Sequence, residues 1–223
     1  MAFIKGFGSY LPERVVPNSE IAARVGCDPK WISEVSGISE RRFAQTDESV
    51  AAMGASAARD CLGRCSVNAS QVGLFIFATG SAEQRFPSPG VEMTHRLSVA
   101  GAPVIDLPMA SAGSLFGLGL ASLLAEAYGE VLVVASERMS SIVLQEPLDR
   151  NTAILFGDGA GAALVSSSEG LASIHAPVLH SDGAFAADLR LGLAGPLPAV
   201  AVAAFASGSC RCNSAGRGHN SHR

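Results

Sequence analysis

The serine in Pro108-Met-Ala-Ser-Ala-Gly-Ser114 stands where a nucleophile could work. Ser111 opens a long apolar run, Ser111–Tyr128, that reads as a helix. The first amides of a helix have no partner within it, and the helix dipole favours negative charge at that end. A nucleophile placed there would sit where those amides and the dipole favour the negative charge it develops. Serine is equally a preferred N-cap, so a capping role stands beside the catalytic one. The surrounding residues do not form the G-x-S-x-G elbow of the α/β-hydrolases.

Two further segments could do chemistry. Trp31, Arg41, Arg42, Arg150 and the turn Phe86-Pro-Ser88 form a scattered polar and aromatic set. A tryptophan and an arginine meeting at a pocket mouth could stack on an adenine ring and pair with phosphate. Arginines that do not meet such a partner simply face solvent. The run Phe156-Gly-Asp-Gly-Ala-Gly-Ala162 resembles a phosphate-binding loop only superficially. Such a loop must open a helix, whereas this one leads into the strand-like Ala-Ala-Leu-Val. A tight glycine turn, where backbones approach closely, fits better.

Strands and helices must alternate to position these residues. Phe3–Gly8, Val72–Ala78, Pro103–Asp106, Glu130–Ser136, Ala160–Val165 and Leu171–Leu179 read as strands. The continuous apolar character of Val72–Ala78 predicts burial on both faces. Helices are predicted from Asn18, as N-cap, to about Val25, around Trp31–Ser36, over Ser49–Leu62, and over about Ser88–Ser98. The helix from Ser111 has too few polar residues for a surface helix, which predicts burial on most sides. The pattern indicates an α/β fold with helices on both faces of a sheet.

The chain has 223 residues, 48% of them hydrophobic and 16% charged, enough apolar material for a sizeable core. A net charge of −4, with Lys5 and Lys30 the only lysines, argues against nucleic-acid binding. Apolar runs are broken by Gly, Ser, Glu and Pro before they reach membrane-spanning length. The start, MAFIKGFGSYLPERVV, lacks the apolar core of a signal peptide, so a cytoplasmic location is expected. Cys27, Cys61, Cys65, Cys210 and Cys212 do not form a disulfide framework. Cys210 and Cys212 with His219 and His222 faintly echo a zinc site, but C-x-C lacks the usual spacing, and no metal is expected. No acidic residue follows Asp188. Residues 1–190 are therefore read as the domain, and 191–223 as an atypical, disordered tail.

Gly6-Phe-Gly-Ser-Tyr-Leu-Pro12, Trp31-Ile32, Gly37-Ile-Ser-Glu-Arg-Arg42, Asp47-Glu48-Ser49 and Phe86-Pro-Ser88 occur in order, followed by Ala110-Ser-Ala-Gly113, Asp149-Arg150-Asn-Thr152, Leu155–Ala162 and His180-Ser-Asp-Gly183. Together they resemble β-ketoacyl-acyl-carrier-protein synthase III of the thiolase superfamily. The resemblance implies a thiolase-like layered fold, of which this chain carries the first half of the duplicated unit. It also implies homodimerisation and the use of acyl-CoA and acyl carrier protein, with no further cofactor. By that likeness Trp31 and Arg150 would flank the CoA adenine, and Phe86 would reach across the dimer to the acyl pocket.

Three departures qualify the likeness. Ser111 occupies the position of the family's nucleophilic cysteine, and a hydroxyl needs a positioned base where a thiol needs less help. Some relatives with serine there are starter-unit acyltransferases of polyketide assembly. Val35 stands where the family usually has an arginine for the CoA phosphates. The family's catalytic histidine and asparagine lie beyond the point where the tail begins, and His219, Asn220 and His222 lack their motifs. The expected function is transfer of an acyl group from CoA to the enzyme, then condensation or transfer in fatty-acid or polyketide biosynthesis. The alternative is a non-catalytic relic, or a subunit that binds acyl-CoA or pairs with a complete synthase.

Overall fold

The computed structural model describes residues 1–185, 189–191 and 200–202. Two units divide the chain, Met1–Ser181 and Asp182–Arg223. In the first, β1 (Ala2–Tyr10) is followed by a small layer made of β2 (Arg14–Pro17), α1 (Asn18–Val25), α2 (Pro29–Ser36) and β3 (Glu40–Phe43). Then come α3 (Val50–Cys65), β4 (Val72–Ala78), α4 (Pro89–Arg96), β5 (Val104–Leu107), α5 (Gly113–Tyr128) and β6 (Glu130–Arg138). Two single-turn helices, α6 (Ser140–Val143) and α7 (Arg150–Ala153), lead to β7 (Asp158–Ser166) and β8 (Ala172–Ile174). The second unit contains a 3-10 turn at Gly183–Phe185 and the antiparallel pair β9 (Leu189–Leu191) and β10 (Val200–Val202). Residues 203–223, with the expected tail's Cys210, Cys212, His219, Asn220 and His222, lie outside the described residues.

Six strands form one mixed sheet in the order β5-β4-β6-β7-β1-β8. The β5, β4 and β6 strands run parallel, and β7, β1 and β8 pair antiparallel. Val72–Ala78 forms β4 as the apolar run predicts, with Phe75, Phe77, Leu74 and Ile76 all fully buried. Alternate residues of β4 serve opposite faces, because side chains alternate along a strand. Phe75 and Phe77 pack with Val50, Ala58, Cys61 and Leu62 of α3, whereas Leu74 and Ile76 pack with Ala121 and Ala125 of α5. Ser49 caps α3 by accepting from the Ala52 amide at 3.2 Å. A third cluster, Val16, Ile21, Ala22, Ile32, Phe43 and Ile154, ties the small layer together.

The structure corrects three expectations. Asn18 is the first residue of α1, not its cap. Its buried amide instead donates to the Ile38 carbonyl at 2.6 Å and to Ser33 Oγ at 3.0 Å, joining α1 to the end of α2. The helix from the Ser111 region is buried on the sheet side along Gly113, Gly117, Ala121 and Ala125, and Gly119 faces Pro177 and Leu179, while Leu115 and Leu123 are 66% and 65% exposed. Small residues four apart let the backbone lie flush on the sheet; Leu118, Leu120 and Leu124 pack partly against the same core, and Leu115 and Leu123 point away from it. The glycine-rich run 156–162 is mostly strand: Gly159 and Gly161 lie inside β7, paired to β1 and β6. Close approach holds for part of it: a methyl at Gly157 would meet Arg41 Cβ and the Arg42 carbonyl at 3.1 Å, whereas one at Gly161 would meet nothing within 4 Å.

Candidate active site

Ser111 lies on the exposed turn between β5 and α5. The capping expectation is not met, because Ala112 is the N-cap residue and no side chain caps the helix. Ser111 contributes its carbonyl, which accepts from Ser114 Oγ at 3.3 Å. Its hydroxyl has no partner among the described residues, so it is open to an incoming group. The turn is closed by one backbone bond, from the Gly113 amide to the Ala110 carbonyl at 2.8 Å. The first turns of α5 also border an apolar cleft of about 210 Å³, lined by Ser114, Leu118, Phe7, Val133 and Ala163.

Trp31 and Arg150 meet. The Arg150 guanidinium lies over the indole ring, 4.5 Å from its centroid. Trp31 comes from α2 and Arg150 from α7, 119 residues later in number but joined through Ile32 and Ile154 in one apolar cluster. Asp149 fixes the start of α7 by accepting from the Asn151 amide at 3.0 Å. Val35 lies one helical turn after Trp31 and is 55% exposed, so the position beside the stack carries no charge. Phe86 is 88% exposed on the loop after β4. That loop and the Ser111 turn both follow strands of the parallel half of the sheet.

Arg41 and Arg42 do not join them. Arg41 is buried and donates to the carbonyls of Val16 and Ile154, at 3.4 and 3.1 Å, with burial holding its pKa below the ordinary arginine value. Arg42 donates to the carbonyls of Pro12 and Glu13. Both arginines hold backbone in place.

The sequence reading missed two carboxylates. Asp158 accepts from the Ala44 amide at 2.7 Å and from the Ser140 amide and hydroxyl at 2.8 and 2.5 Å, fastening α6 to β7. Glu137, near the end of β6, accepts from the Gly80 amide at 2.8 Å, from Thr79 Oγ1 at 3.4 Å and from Ser81 Oγ. Burial pushes its carboxyl above the ordinary range, and these donors act in the opposite direction. The sequence carries no local signal for Glu137, whose partners on the Thr79–Ser81 loop are distant in the chain. Among the described residues no cluster of His, Cys, Asp and Glu could hold a metal ion, and no helix is long and apolar enough to cross a membrane.

The sequence profile of the 3-oxoacyl-[acyl-carrier-protein] synthase III family matches residues 105–183, the stretch that contains Ser111 and Arg150. The β-ketoacyl-[acyl-carrier-protein] synthase III of Salmonella paratyphi A is 39% identical over 192 residues, covering 84% of this chain and 59% of the relative. The Pectobacterium atrosepticum enzyme of the same name is 41% identical over the same shares. Among solved structures, the 3-oxoacyl-[acyl-carrier-protein] synthase III of Aquifex aeolicus superposes with a TM-score of 0.80 at 32% identity, over 86% of this chain and 62% of that one. This chain has the fold of a synthase III in part. The priming β-ketosynthase of the R1128 polyketide pathway gives the same TM-score at 34% identity, over 86% of this chain and 57% of its own. The mixed sheet flanked by α3 and α5 is thus the thiolase-like arrangement, as the sequence resemblance implies. The chain spans about 59% of the length of the curated synthase III relatives it matches.

Proposed function

We propose that this chain belongs to an acyltransferase of the synthase III type, in which Ser111 takes an acyl group from acyl-CoA. The observation that carries the reading is Ser111 itself, its hydroxyl without a partner among the described residues on the turn that opens α5. Acyl carrier protein would be the acceptor, in condensation or simple transfer, within fatty-acid or polyketide biosynthesis in the cytoplasm. Trp31 and Arg150 would part to receive the CoA adenine, and the uncharged Val35 would weaken the hold on its phosphates. Among the described residues the outer edge of β5 is unpaired in the sheet, which supports a homodimer joined along it, with Phe86 presented to the partner.

One observation favours the second reading, an acyl-CoA-binding or partner subunit without turnover. Among the described residues, no histidine or carboxylate is hydrogen-bonded to Ser111. General-base help is worth about 10²–10⁴-fold, so Ser111 unaided would acylate slowly. Mass spectrometry after incubation with acetyl-CoA separates the readings. Ser111→Cys should gain an acyl adduct at position 111 faster than the unaltered chain, because a thiol ionises more readily. The transferase reading would be overturned if neither protein carried an adduct there while a titration still showed Trp31-dependent acyl-CoA binding.

A further inference from the structure

The Ser111 turn has little of its own to hold it. It contains one internal backbone bond and no side-chain cap. Its support comes from β4 and the residues just after it. A methyl built at Gly80 would stand 2.8 Å from Ala110 Cβ, and one at Gly113 would stand 2.8 Å from Ala78 Cβ. Both neighbours therefore already sit at closest approach. The Leu107 carbonyl accepts from the Thr79 amide at 3.1 Å and from the Met109 amide at 2.8 Å, joining the two segments at a third point.

The segment Thr79-Gly80-Ser81 is gripped in turn from β6. Glu137 accepts from all three residues, and Ser81 Oγ accepts from the Arg138 amide at 2.7 Å. Thr79 and Ser81 are buried, and the Ser81 amide donates back to Thr79 Oγ1 at 3.2 Å. We propose that Glu137 is a positioning residue for Ser111, acting through the Thr79–Ser81 segment on which the Ser111 turn rests. A half-buried carboxylate is disfavoured by desolvation, so an apolar residue would suit packing alone better. Its three donors all belong to the one segment beneath the turn. The inference rests on reading Ser111 as the acylated residue.

The test uses iodoacetamide on the Ser111→Cys chain, with peptide mapping of the alkylation rate at position 111 relative to the half-buried Cys27. Adding Glu137→Ala should lower that ratio roughly threefold or more, because a thiol moved off the start of α5 loses the amides and dipole that favour its thiolate. Glu137→Gln, which keeps an oxygen for the Gly80 amide, should restore most of it. A purely structural role would change both sites together or neither. Should Glu137→Ala fail to fold, Ser81→Ala removes one donor and should produce a smaller fall. A ratio unchanged from the parent in the folded variants overturns the inference, because a displaced turn would lose that thiolate stabilisation. If the parent reacts no faster at position 111 than at Cys27, the acyl-transfer reading fails, while the ratio still reports whether Glu137 governs the turn.

Discussion

Tyr10, at the end of β1, donates its hydroxyl to Glu48. This bond, aided by burial and by the negative charge of Glu48, pushes the phenol from 10.0 up to about 12. The protonated form is therefore favoured more in the folded than in the unfolded chain. Its stabilisation is fully present below pH 10.0 and should be lost as pH rises toward about 12. Tyr10→Phe should flatten stability over that interval, as followed by urea unfolding at successive pH values. Cys61 behaves similarly for another reason: burial, reinforced by the neighbouring Cys65, raises its thiol to about 12. It should stay unmodified under conditions that alkylate Cys27. Ser111 is legible in the sequence by its place ahead of an apolar run. Glu137 is not, because its partners lie 56 to 58 positions away.

At the scale of elements, the contact between β1 and α3 governs the packing. Gly8 lies directly under α3, where an added methyl would fall 2.2 Å from the Cys61 amide nitrogen and 2.5 Å from the Ala57 carbonyl. Backbone on both sides leaves nothing to yield. Gly8→Ala should cost roughly 3 kcal/mol or more, at the severe end of overpacking. Ser49→Ala, which removes the cap of the same helix, should cost about 1 kcal/mol. Thermal unfolding of the two variants checks the order of these effects. Most elements can be read from the sequence because their periods are strong, as in β4 and α3. The exposure of α5 is less legible: a nearly all-apolar sequence implies cover on most sides, and among the described residues Leu115 and Leu123 stay open. The turn expected around 156–162 is strand because pairing with β1 and β6 outweighs the local preference of glycine. Asn18 falls one position inside α1 because a side chain that resembles a cap is recruited to bind Ile38 instead.

For the whole molecule, β5 and β8 are the two edges of the sheet. A homodimer along β5 should be sensitive to charge on that strand, since an exposed lysine discourages strand addition. Ile105, at 36% exposure, is the accessible apolar residue there. Ile105→Lys should shift sedimentation at micromolar concentration toward monomer, and an unchanged profile would place association elsewhere. The sheet order has a kinetic consequence as well. Among the described residues β1 has strand partners only in β7 and β8, so Phe3 must wait for Ser166 and Ser173 before its pairing can close. The parallel group β4, β5 and β6 is complete within a much shorter span of sequence. Long-range closure is slow because its entropy is lost before contacts repay it. During synthesis the amino-terminal strand should leave the ribosome unpaired and remain so until nearly the whole first unit has followed. Pulse-labelled hydrogen exchange during refolding should accordingly find the β4 amides protected early and those of β1 last.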